Sequence, residues 1–359
     1  MPNKKIEQLL KKTKPYINKA KPYLKKVKPF AKKIYTAIAT FYNKSIKYLR
    51  SKITSWWQIA LITLFFVLFL YYPLGGLIIH KIDTATDYQP KTSDGRLASV
   101  DTMSYLINRE VHHKLWTPNL PFLFPSYILD NMPSFQLGIM SGVSQMARAF
   151  DSLTYEKASD TSRKTLNDGT KLLQYPGNIW LFSPQNKLLP VTSSNTQYKK
   201  GRKNYNIFNH EIANGNTVLD RSAENLMLIL LIVKKDLEKS IINTENHIRE
   251  NSSSFIDLKS DNVFYHEKGK LYSYYMILRA LSHDFKDAMI RYDIYQHWTS
   301  MLNNLNEVGS FEPLIIRNAD FNSSFGPNHL IAINYLASRS LDNLNNIITK
   351  LHSITDSKQ

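Results

Sequence analysis

The chain has 359 residues, a formal net charge of +17 and no cysteine. The lack of cysteine excludes disulfides, thiolate metal sites and cysteine nucleophiles. Residues 1–55 hold sixteen of the 46 Lys and Arg residues but only one of the 29 acidic residues, Glu7, so they carry +15 and the remaining chain only +2. The sequence therefore joins a strongly basic tail to a nearly neutral body that is long enough to bury a core.

The basic tail, residues 1–55, repeats Lys-Pro-aromatic three times at intervals of seven residues. Apolar residues recur with a period of about 3.5 and lysines fill the opposite face, which is typical of an amphipathic helix. Prolines at this interval fall on one side, so they either curve the helix or each begin a short one. We expect the lysines to meet anionic lipid and the aromatic rings to enter the headgroups of the cytoplasmic leaflet. The residues predicted to bind this surface are Lys14, Tyr16, Lys21, Tyr23, Lys28 and Phe30.

Three alternatives stay open for the tail: a solvated and mostly disordered segment, a coiled-coil or partner helix, and a nucleic-acid-binding segment. Prolines oppose a coiled-coil seam. Basic residues interleaved with aromatic ones suit single-stranded nucleic acid, but no recognised nucleic-acid-binding module accompanies them. The sequence therefore favours the lipid bilayer, and its anionic inner-leaflet lipids in particular, as the partner of the tail.

Residues 56–79 are predicted to be a transmembrane signal-anchor helix. No charged residue occurs from Ile59 to Ile79. A helix over that range spans about 31 Å, close to the bilayer core of about 30 Å. A soluble core helix rarely runs so long without a polar face, and a cleaved signal peptide has a shorter charged region. The aromatic residues predicted to lie at the two membrane interfaces are Trp56, Trp57, Tyr71 and Tyr72.

The distribution of basic residues predicts the orientation. Sixteen Lys and Arg residues precede the span, whereas residues 80–99 contain three, Lys81, Lys91 and Arg96. By the positive-inside rule the tail is then cytoplasmic and residues 80–359 lie across the membrane.

The body begins with a polar linker, residues 80–96, after which apolar residues recur at intervals of three and four. This spacing predicts an all-α helical bundle over residues 97–352, followed by a short C-terminal tail, residues 353–359. The stretch Tyr175–Asn206 lacks the spacing and is predicted to be a long loop with at most one short strand, at Ile179–Phe182. The predicted helices cover residues 97–115, 133–153, 155–173, 219–250, 270–306 and 328–352.

Three blocks of the body are distinctive: YILDNMPSFQLGIMSGVSQMARAF at 127–150, SDNVFYHEKGKLYSYYMILRALSHDF at 260–285 and EPLIIRNADFNSSFGPNHL at 312–330. Their order after a single span resembles an uncharacterised bacterial inner-membrane family, the domain of unknown function 2333, over roughly residues 55–352. The resemblance implies a bacterial inner membrane and a periplasmic body, and it implies no reaction. The basic tail lies outside it.

Polar residues stand where three of the helices are expected to begin. Helix capping explains them, because Asp and Asn side chains satisfy free backbone N–H groups. A sharper hypothesis gathers them in one pocket, where Asp130 or Asp261 orients His329 as an acid–base pair. The other members of this polar network are Asn131, Asn262 and Asn328.

Other chemistry has little support in the sequence. It contains no nucleotide-binding glycine loop, no Gly-x-Ser-x-Gly elbow and no His-Glu-x-x-His pair. His112 and His113 would point about 100° apart on a helix, which makes a shared metal difficult. His283 and Asp287 are predicted to be an ordinary pair on a helix surface. We therefore expect neither a cofactor nor a metal.

Taken together, these patterns favour a single-pass inner-membrane protein with a periplasmic α-helical domain and a non-enzymatic interaction or cell-envelope support role. Its protein partner would be another envelope protein or a second copy of the chain. The alternative is a periplasmic hydrolase that uses His329 with Asp130 or Asp261. A deep pocket joining those residues would favour the hydrolase, whereas separate capping roles would favour the interaction protein.

Overall fold

The computed structural model describes residues 32–33, 36, 39–45, 47, 56–92, 94–182, 189–251, 257, 259–313, 316–318 and 328–355. These residues fall into two compact units, one within Met1–Leu70 and the other within Tyr71–Gln359. Residues 39–45 are helical, as the pattern that leads into the span predicts. The residues that were predicted to bind the membrane surface lie outside the described residues, namely Lys14, Tyr16, Lys21, Tyr23, Lys28 and Phe30.

Helix α1, Trp56–Ile79, has no charged residue and exposes most of its apolar side chains. Trp56 is 88% exposed and Leu64 is 53% exposed. Among the described residues it is the one helix whose length and composition allow it to cross a membrane. Such an exposed apolar surface is unstable in water, so it agrees with the predicted association with a membrane.

The second unit is a bundle of helices, so the predicted all-α fold is confirmed. Two short strands, β1 (Tyr155–Lys157) and β2 (Val218–Leu219), pair antiparallel at its side. The helices of the bundle are α2 (Ala98–Asn108), α3 (Asn131–Asp151), α4 (Asp160–Leu173), α5 (Ser194–Ala213), α6 (Ala223–Asn251), α7 (Ser260–Asp284), α8 (Lys286–Arg291), α9 (Tyr295–Gly309) and α10 (His329–Thr355). A π-helical turn, Arg109–His113, ends α2, and a 3-10 turn, Pro125–Ile128, lies before α3.

Helices α3 and α7 form the closest contact of the bundle. They run in the same direction, because Ser134 bonds to Asn262 near their N-terminal ends and Gly142 meets Ser273 further along. Glycines let the two backbones touch: a Cβ added at Gly138 would lie 2.0 Å from the carbonyl oxygen of His266. This parallel contact sets the two N-terminal ends side by side, where the helix dipoles favour negative charge.

The predicted helix at 270–306 is three helices in the structure. Helix α7 begins earlier, at Ser260, and the chain breaks at Phe285 and again at Asp293, whose φ of 47° is left-handed. The apolar rhythm continues through both breaks because residues of all three helices enter one core. Examples are the buried Leu281 and Met301.

The prediction of a long loop at Tyr175–Asn206 was wrong, because α5 begins inside it. The buried face of α5 includes Tyr198 and Tyr205, but charged residues surround them and Gly201 stands between them. That glycine allows a close approach, since a Cβ there would lie 2.7 Å from Leu173 Cδ2. Helix α5 was therefore not predicted, because its sequence is rich in lysine and its buried face includes only two tyrosines and a glycine in this region.

The suggested strand at Ile179–Phe182 is not formed. Instead, Ile179 N–H donates to Ser194 Oγ at 2.9 Å, and Ser194 N–H donates to the Ile179 carbonyl at 2.9 Å. These bonds fasten the segment to the first turn of α5. The predicted helix at 155–173 also starts later, at Asp160, because Ser159 caps it and β1 occupies the residues before.

The remaining predicted helices agree with the structure. The helices predicted at 133–153, 219–250 and 328–352 correspond to α3, α6 and α10. The helix predicted at 97–115 corresponds to α2 and its π-helical turn.

Residues 80–92, within the predicted linker 80–96, have no regular structure but lie along the bundle, and we call them the strap. The hydroxyl of Tyr272 donates to the Ala85 carbonyl at 2.6 Å. The guanidinium of Arg279 donates to the carbonyls of Thr86 and Tyr88 at 2.6 and 2.8 Å. The Tyr88 ring also stacks on a tyrosine of α2, with 3.7 Å between the ring centroids. The strap thus joins α1 to the bundle through specific bonds.

Candidate functional site

The predicted carboxylates lie at two helix N-termini, as the capping interpretation expects. Asp130 caps α3, and its Oδ1 accepts a hydrogen bond from the Asn131 N–H at 3.0 Å. Asp261 lies in the first turn of α7, where its Oδ1 accepts from the Asn262 N–H at 3.0 Å. Both carboxylates satisfy free backbone donors and complement a helix dipole.

The structure brings Asp130 and Asp261 together, because α3 and α7 begin side by side. Burial raises the pKa of Asp261, and the adjacent charge of Asp130 and a hydrogen bond with it raise that pKa further. Burial and the same negative charges, with that of Glu312, raise the pKa of Tyr265. Two carboxyl groups this close can share one proton.

His329, the first residue of α10, is placed by backbone and aromatic contacts. Its Nδ1 accepts a hydrogen bond from the Arg317 N–H at 3.2 Å, so the ring proton is on Nε2. The ring packs edge-on against Phe264, with 6.3 Å between centroids. Burial and the positive charge of Arg317 lower the pKa of His329, which favours the neutral ring. A backbone amide occupies Nδ1, so only the Nε2 proton could bond to Asp130 or Asp261. That pairing stays a prediction.

The three asparagines of the predicted network have separate surroundings. Asn262 Oδ1 accepts from the Ser134 hydroxyl at 3.1 Å, which joins α7 to α3. Asn328 Oδ1 accepts from the Ile331 N–H at 3.0 Å and so caps α10. The side-chain oxygen of Asn131 is buried and has no hydrogen-bond partner among the described residues. Asn262 thus joins two helix starts and Asn328 caps a third.

Two cavities of the bundle lie elsewhere, and neither is lined by Asp130, Asp261 or His329. One, of about 350 Å³, has a basic and aromatic lining that includes Tyr88, Arg96, Tyr105, Arg202 and His210. The other, of about 600 Å³, is lined by residues that include Arg221, His283, Asp284, Asp287 and Arg291. His283 and Asp287 are both exposed, but they do not share one helix as predicted, because His283 lies in α7 and Asp287 in α8. In the described part of the chain, no group of three His, Asp or Glu residues could hold a metal.

A buried charge network surrounds the π-helical turn, and no sequence pattern predicted it. Glu110 is fully buried, and its Oε1 accepts from Arg109 Nε at 2.6 Å and Lys114 Nζ at 3.1 Å. Its Oε2 accepts from Gln136 Nε2 at 3.3 Å. A lone buried carboxylate would be very costly, so two cations and an amide are what make it tolerable. We call these residues, with Asp83 and Tyr272, the π-turn network.

Arg109 connects the π-turn network to α7 and the strap. Its Nη1 donates to the Tyr272 hydroxyl at 2.7 Å and lies 3.8 Å from Asp83 Oδ2. Burial opposes its charge most strongly, but Glu110, Tyr272 and Asp83 together outweigh burial and raise the pKa of Arg109. Burial lowers the pKa of Lys114, and Glu110 opposes that change. The strap, α2 and α7 thus meet at one set of compensating charges.

A second network lies between α6 and α7. Lys270 Nζ donates to Ser240 Oγ at 3.0 Å and lies 3.6 Å from Asp236 Oδ2 and 3.8 Å from Glu267 Oε1. Ser240 also donates to Glu267, and the Tyr274 hydroxyl donates to Asp236 Oδ2 at 2.8 Å. Burial acts to raise the pKa of Glu267, but hydrogen bonds and the charge of Lys270 lower it overall. Glu267 is thus held ionised by internal partners.

Comparison of the chain with protein-family models, with curated proteins and with solved structures finds no match. Inferences about function therefore depend on the residues themselves and on their geometry.

A pH-dependent bond lies near the start of α7. Asp257 Oδ2 accepts from the Ser260 hydroxyl at 2.6 Å and from Asn318 Nδ2 at 3.1 Å, and it lies 2.9 Å from His247 Nε2. Burial acts to raise the pKa of Asp257, but these bonds and the Lys259 N–H outweigh it and lower the pKa to about 2. A carboxyl whose pKa is lower in the folded state stabilises the fold above its unfolded pKa, 3.8, and loses that contribution as the pH falls toward 2.

We therefore expect Asp257→Asn to destabilise the protein at pH 7 and to matter progressively less between about pH 4 and pH 2. Urea unfolding of the two proteins across that range measures the difference in free energy. The exposed Asp287→Asn is the control and should show a small difference at every pH. An Asp257→Asn effect of the same size at pH 7 and pH 2.5 would contradict the assignment.

Proposed function

We propose that the chain is a single-pass inner-membrane protein with a cytoplasmic basic tail and a periplasmic helical domain, residues 97–352. The exposed apolar surface of α1 supports the span. Sixteen basic residues before the span against three in residues 80–99 support the orientation. The resemblance to the domain of unknown function 2333 supports the bacterial inner membrane.

The domain acts, in this proposal, as a non-enzymatic interaction or cell-envelope support module. The observation that carries the proposal is the strap. A free linker would let the domain swing, whereas bonds from Tyr272 and Arg279 to the strap backbone hold the domain at the end of α1. A helical domain that is attached in this way always presents the same surface to another envelope protein or to a second copy of the chain.

The buried charges also support a structural role. In both networks each carboxylate faces internal cations and hydrogen-bond donors. Groups that are neutralised in this way hold helices in one arrangement and are poorly placed to meet a solvent-borne substrate.

The alternative, a periplasmic hydrolase, has one observation in its favour: Asp130 and Asp261 are adjacent and the pKa of Asp261 is raised. Asparagine caps a helix as well as aspartate but cannot transfer protons at neutral pH. A double variant, Asp130→Asn with Asp261→Asn, therefore separates the two proposals when it is tested for complementation of a deletion strain. An interaction protein keeps its cellular role in this variant, and a hydrolase loses it.

For the tail, we propose binding to anionic lipid through the lysines and aromatic residues of the heptad repeats. A peptide of residues 1–55 is expected to bind anionic vesicles, to gain helix on binding and to bind neutral vesicles much less. Replacing Tyr16, Tyr23 and Phe30 by Ser should remove the salt-resistant part of the binding. Binding to single-stranded nucleic acid but not to anionic vesicles would contradict the proposal.

Reporter fusions test the topology. A reporter enzyme that is active only outside the cytoplasm, fused after Gln359, should be active, and a reporter that works only in the cytoplasm should be inactive there. The opposite pair of results would reverse the proposed orientation.

A further inference from the structure

The loop before α3, Pro121–Ile128, has an unusually apolar surface, and we call it the apolar loop. No charged residue occurs from Thr117 to Leu129. Five of its side chains are more than a third exposed: Phe122 61%, Leu123 62%, Phe124 37%, Tyr127 62% and Ile128 54%. Contiguous exposed apolar groups on a folded domain mark a surface that another apolar phase covers.

The apolar loop is attached to the C-terminal part of α1. The Tyr71 hydroxyl donates to the Leu123 carbonyl at 3.0 Å, and the Tyr72 hydroxyl donates to the Phe122 carbonyl at 2.5 Å. Gly75 allows the loop to come close, because a Cβ at that position would lie 2.4 Å from Pro125 Cγ. The position of the loop along α1 is therefore defined by these contacts.

That position lies within the predicted span. With Trp57 at the cytoplasmic interface, Tyr72 is about 22 Å further along a helix that rises about 1.5 Å per residue. The hydrocarbon core is about 30 Å thick, so the hydroxyls of Tyr71 and Tyr72 meet the apolar loop about 8 Å inside the far boundary, deeper than the interfacial position predicted for them from the sequence. Exposed apolar side chains at this depth face acyl chains and headgroups.

Part of the loop backbone is hydrogen-bonded internally, which lowers the cost of placing it at membrane depth. Non-helical backbone in lipid costs several kcal/mol for each unpaired polar group. Besides the two carbonyls bound by tyrosine hydroxyls, Phe124 N–H donates to the Pro121 carbonyl at 3.0 Å and Tyr127 N–H donates to the Phe124 carbonyl at 3.0 Å. The turns and the two tyrosines together remove much of that cost.

We propose that the apolar loop is a second membrane contact, inserted beside α1 into the leaflet on the side of the helical domain. This inference rests on the proposed span, since the depth of the loop is measured along α1. Lipid is the occupant that fits, because the loop continues the exposed apolar surface of a helix that crosses the membrane. The loop leads directly into α3, so its insertion orients the bundle relative to the bilayer.

Depth-dependent quenching tests the proposal on the full-length protein in phosphatidylcholine bilayers. The chain has no cysteine, so single cysteines can carry a fluorophore without background. The test variant is Leu123→Cys, and Leu64→Cys on α1 reports the span itself. Ile290→Cys is the aqueous control, because Ile290 is 70% exposed and follows the C-terminal end of α7, away from the loop.

With lipids brominated on their acyl chains, the Leu123 and Leu64 probes should lose most of their fluorescence and the Ile290 probe should keep it. Quenching at Leu64 but not at Leu123 would overturn the insertion of the loop and leave the span intact. A Leu123 probe that neither brominated lipid nor aqueous iodide quenches would mean that protein, a second copy included, covers the loop, which also overturns the proposal. Absence of quenching at Leu64 would instead show that the proposed span is wrong.

Discussion

Replacing Glu110 by Gln is expected to lower the free energy of unfolding by about 3–5 kcal/mol, because it deprives the buried Arg109 and the half-buried Lys114 of their nearest anion. Glu110 is 0% exposed and receives hydrogen bonds from Arg109 and Lys114. The NH₂ group of the new glutamine would also face Arg109, Lys114 or Gln136, which are hydrogen-bond donors themselves. Urea unfolding of the purified protein, followed by circular dichroism, measures the change.

Two further variants make this prediction specific. Adding Lys114→Met to Glu110→Gln should recover part of the lost stability, because one of the unpaired charges disappears. Glu238→Gln is the matched control, since Glu238 is 44% exposed and lies 3.8 Å from Lys234. Its effect should be below about 1 kcal/mol. Equal effects of Glu110→Gln and Glu238→Gln would show that Glu110 is hydrated.

Replacing Gly269 by Ala is expected to destabilise the protein by about 3 kcal/mol, at the upper end of overpacking effects, because no side-chain rotation can relieve the clash. The added Cβ would lie 2.1 Å from the carbonyl oxygen of Phe135 and 3.1 Å from the amide nitrogen of Ile139. Helices α3 and α7 would have to separate. Thermal unfolding of the variant measures the loss.

The control for this variant is Gly309→Ala, in α9. A Cβ there would lie 3.6 Å from Thr84 Cβ, which is ordinary contact. We expect that variant to be within about 0.5 kcal/mol of the parent protein, as for a surface change. If Gly269→Ala changed the stability as little as Gly309→Ala, helices α3 and α7 could not be in the close contact described above.

Periodicity predicted the helices whose apolar residues are frequent and unbroken. Leu226, Leu230 and Val233 follow one face of α6, and all three are fully buried. Helix α5 was missed because its inner face is Tyr198, Gly201 and Tyr205 among lysines, where composition resembles a loop. The 3-4 spacing of those three residues was the available signal. The spacing was not recognised, because glycine has no apolar side chain and so does not count as a core residue in the pattern.

The helix breaks and the buried charges could not be read from the sequence for different physical reasons. The break at Asp293 depends on a left-handed backbone that non-glycine residues rarely adopt, and no glycine marks it. Charged residues such as Glu110 and Lys270 are normally exposed, so only the three-dimensional neighbours reveal that they are paired inside. By contrast, the capping roles of Asp130 and Asn328 follow from local chemistry and were predictable.

A disulfide between the strap and α9, formed in living cells, tests the docking of the strap and the location of the domain together. We propose that the strap is docked on the domain and that the strap and the domain both lie in the periplasm. Thr84 Oγ1 donates to the Gly309 carbonyl at 3.2 Å, and a Cβ at Gly309 would lie 3.6 Å from Thr84 Cβ. That separation suits a disulfide, for which Cβ atoms lie about 3.5–4.5 Å apart.

The double variant Thr84→Cys with Gly309→Cys has no other cysteine, so a single bond is scored after free thiols are alkylated in intact cells. We expect the bond to form in the cells, because the periplasm is oxidising, and single-cysteine variants to show no such bond. Free thiols in the cells, with a bond that forms only after purification and oxidation, would contradict the periplasmic location. Thiols that remain free even after the purified protein is oxidised would contradict the docked strap.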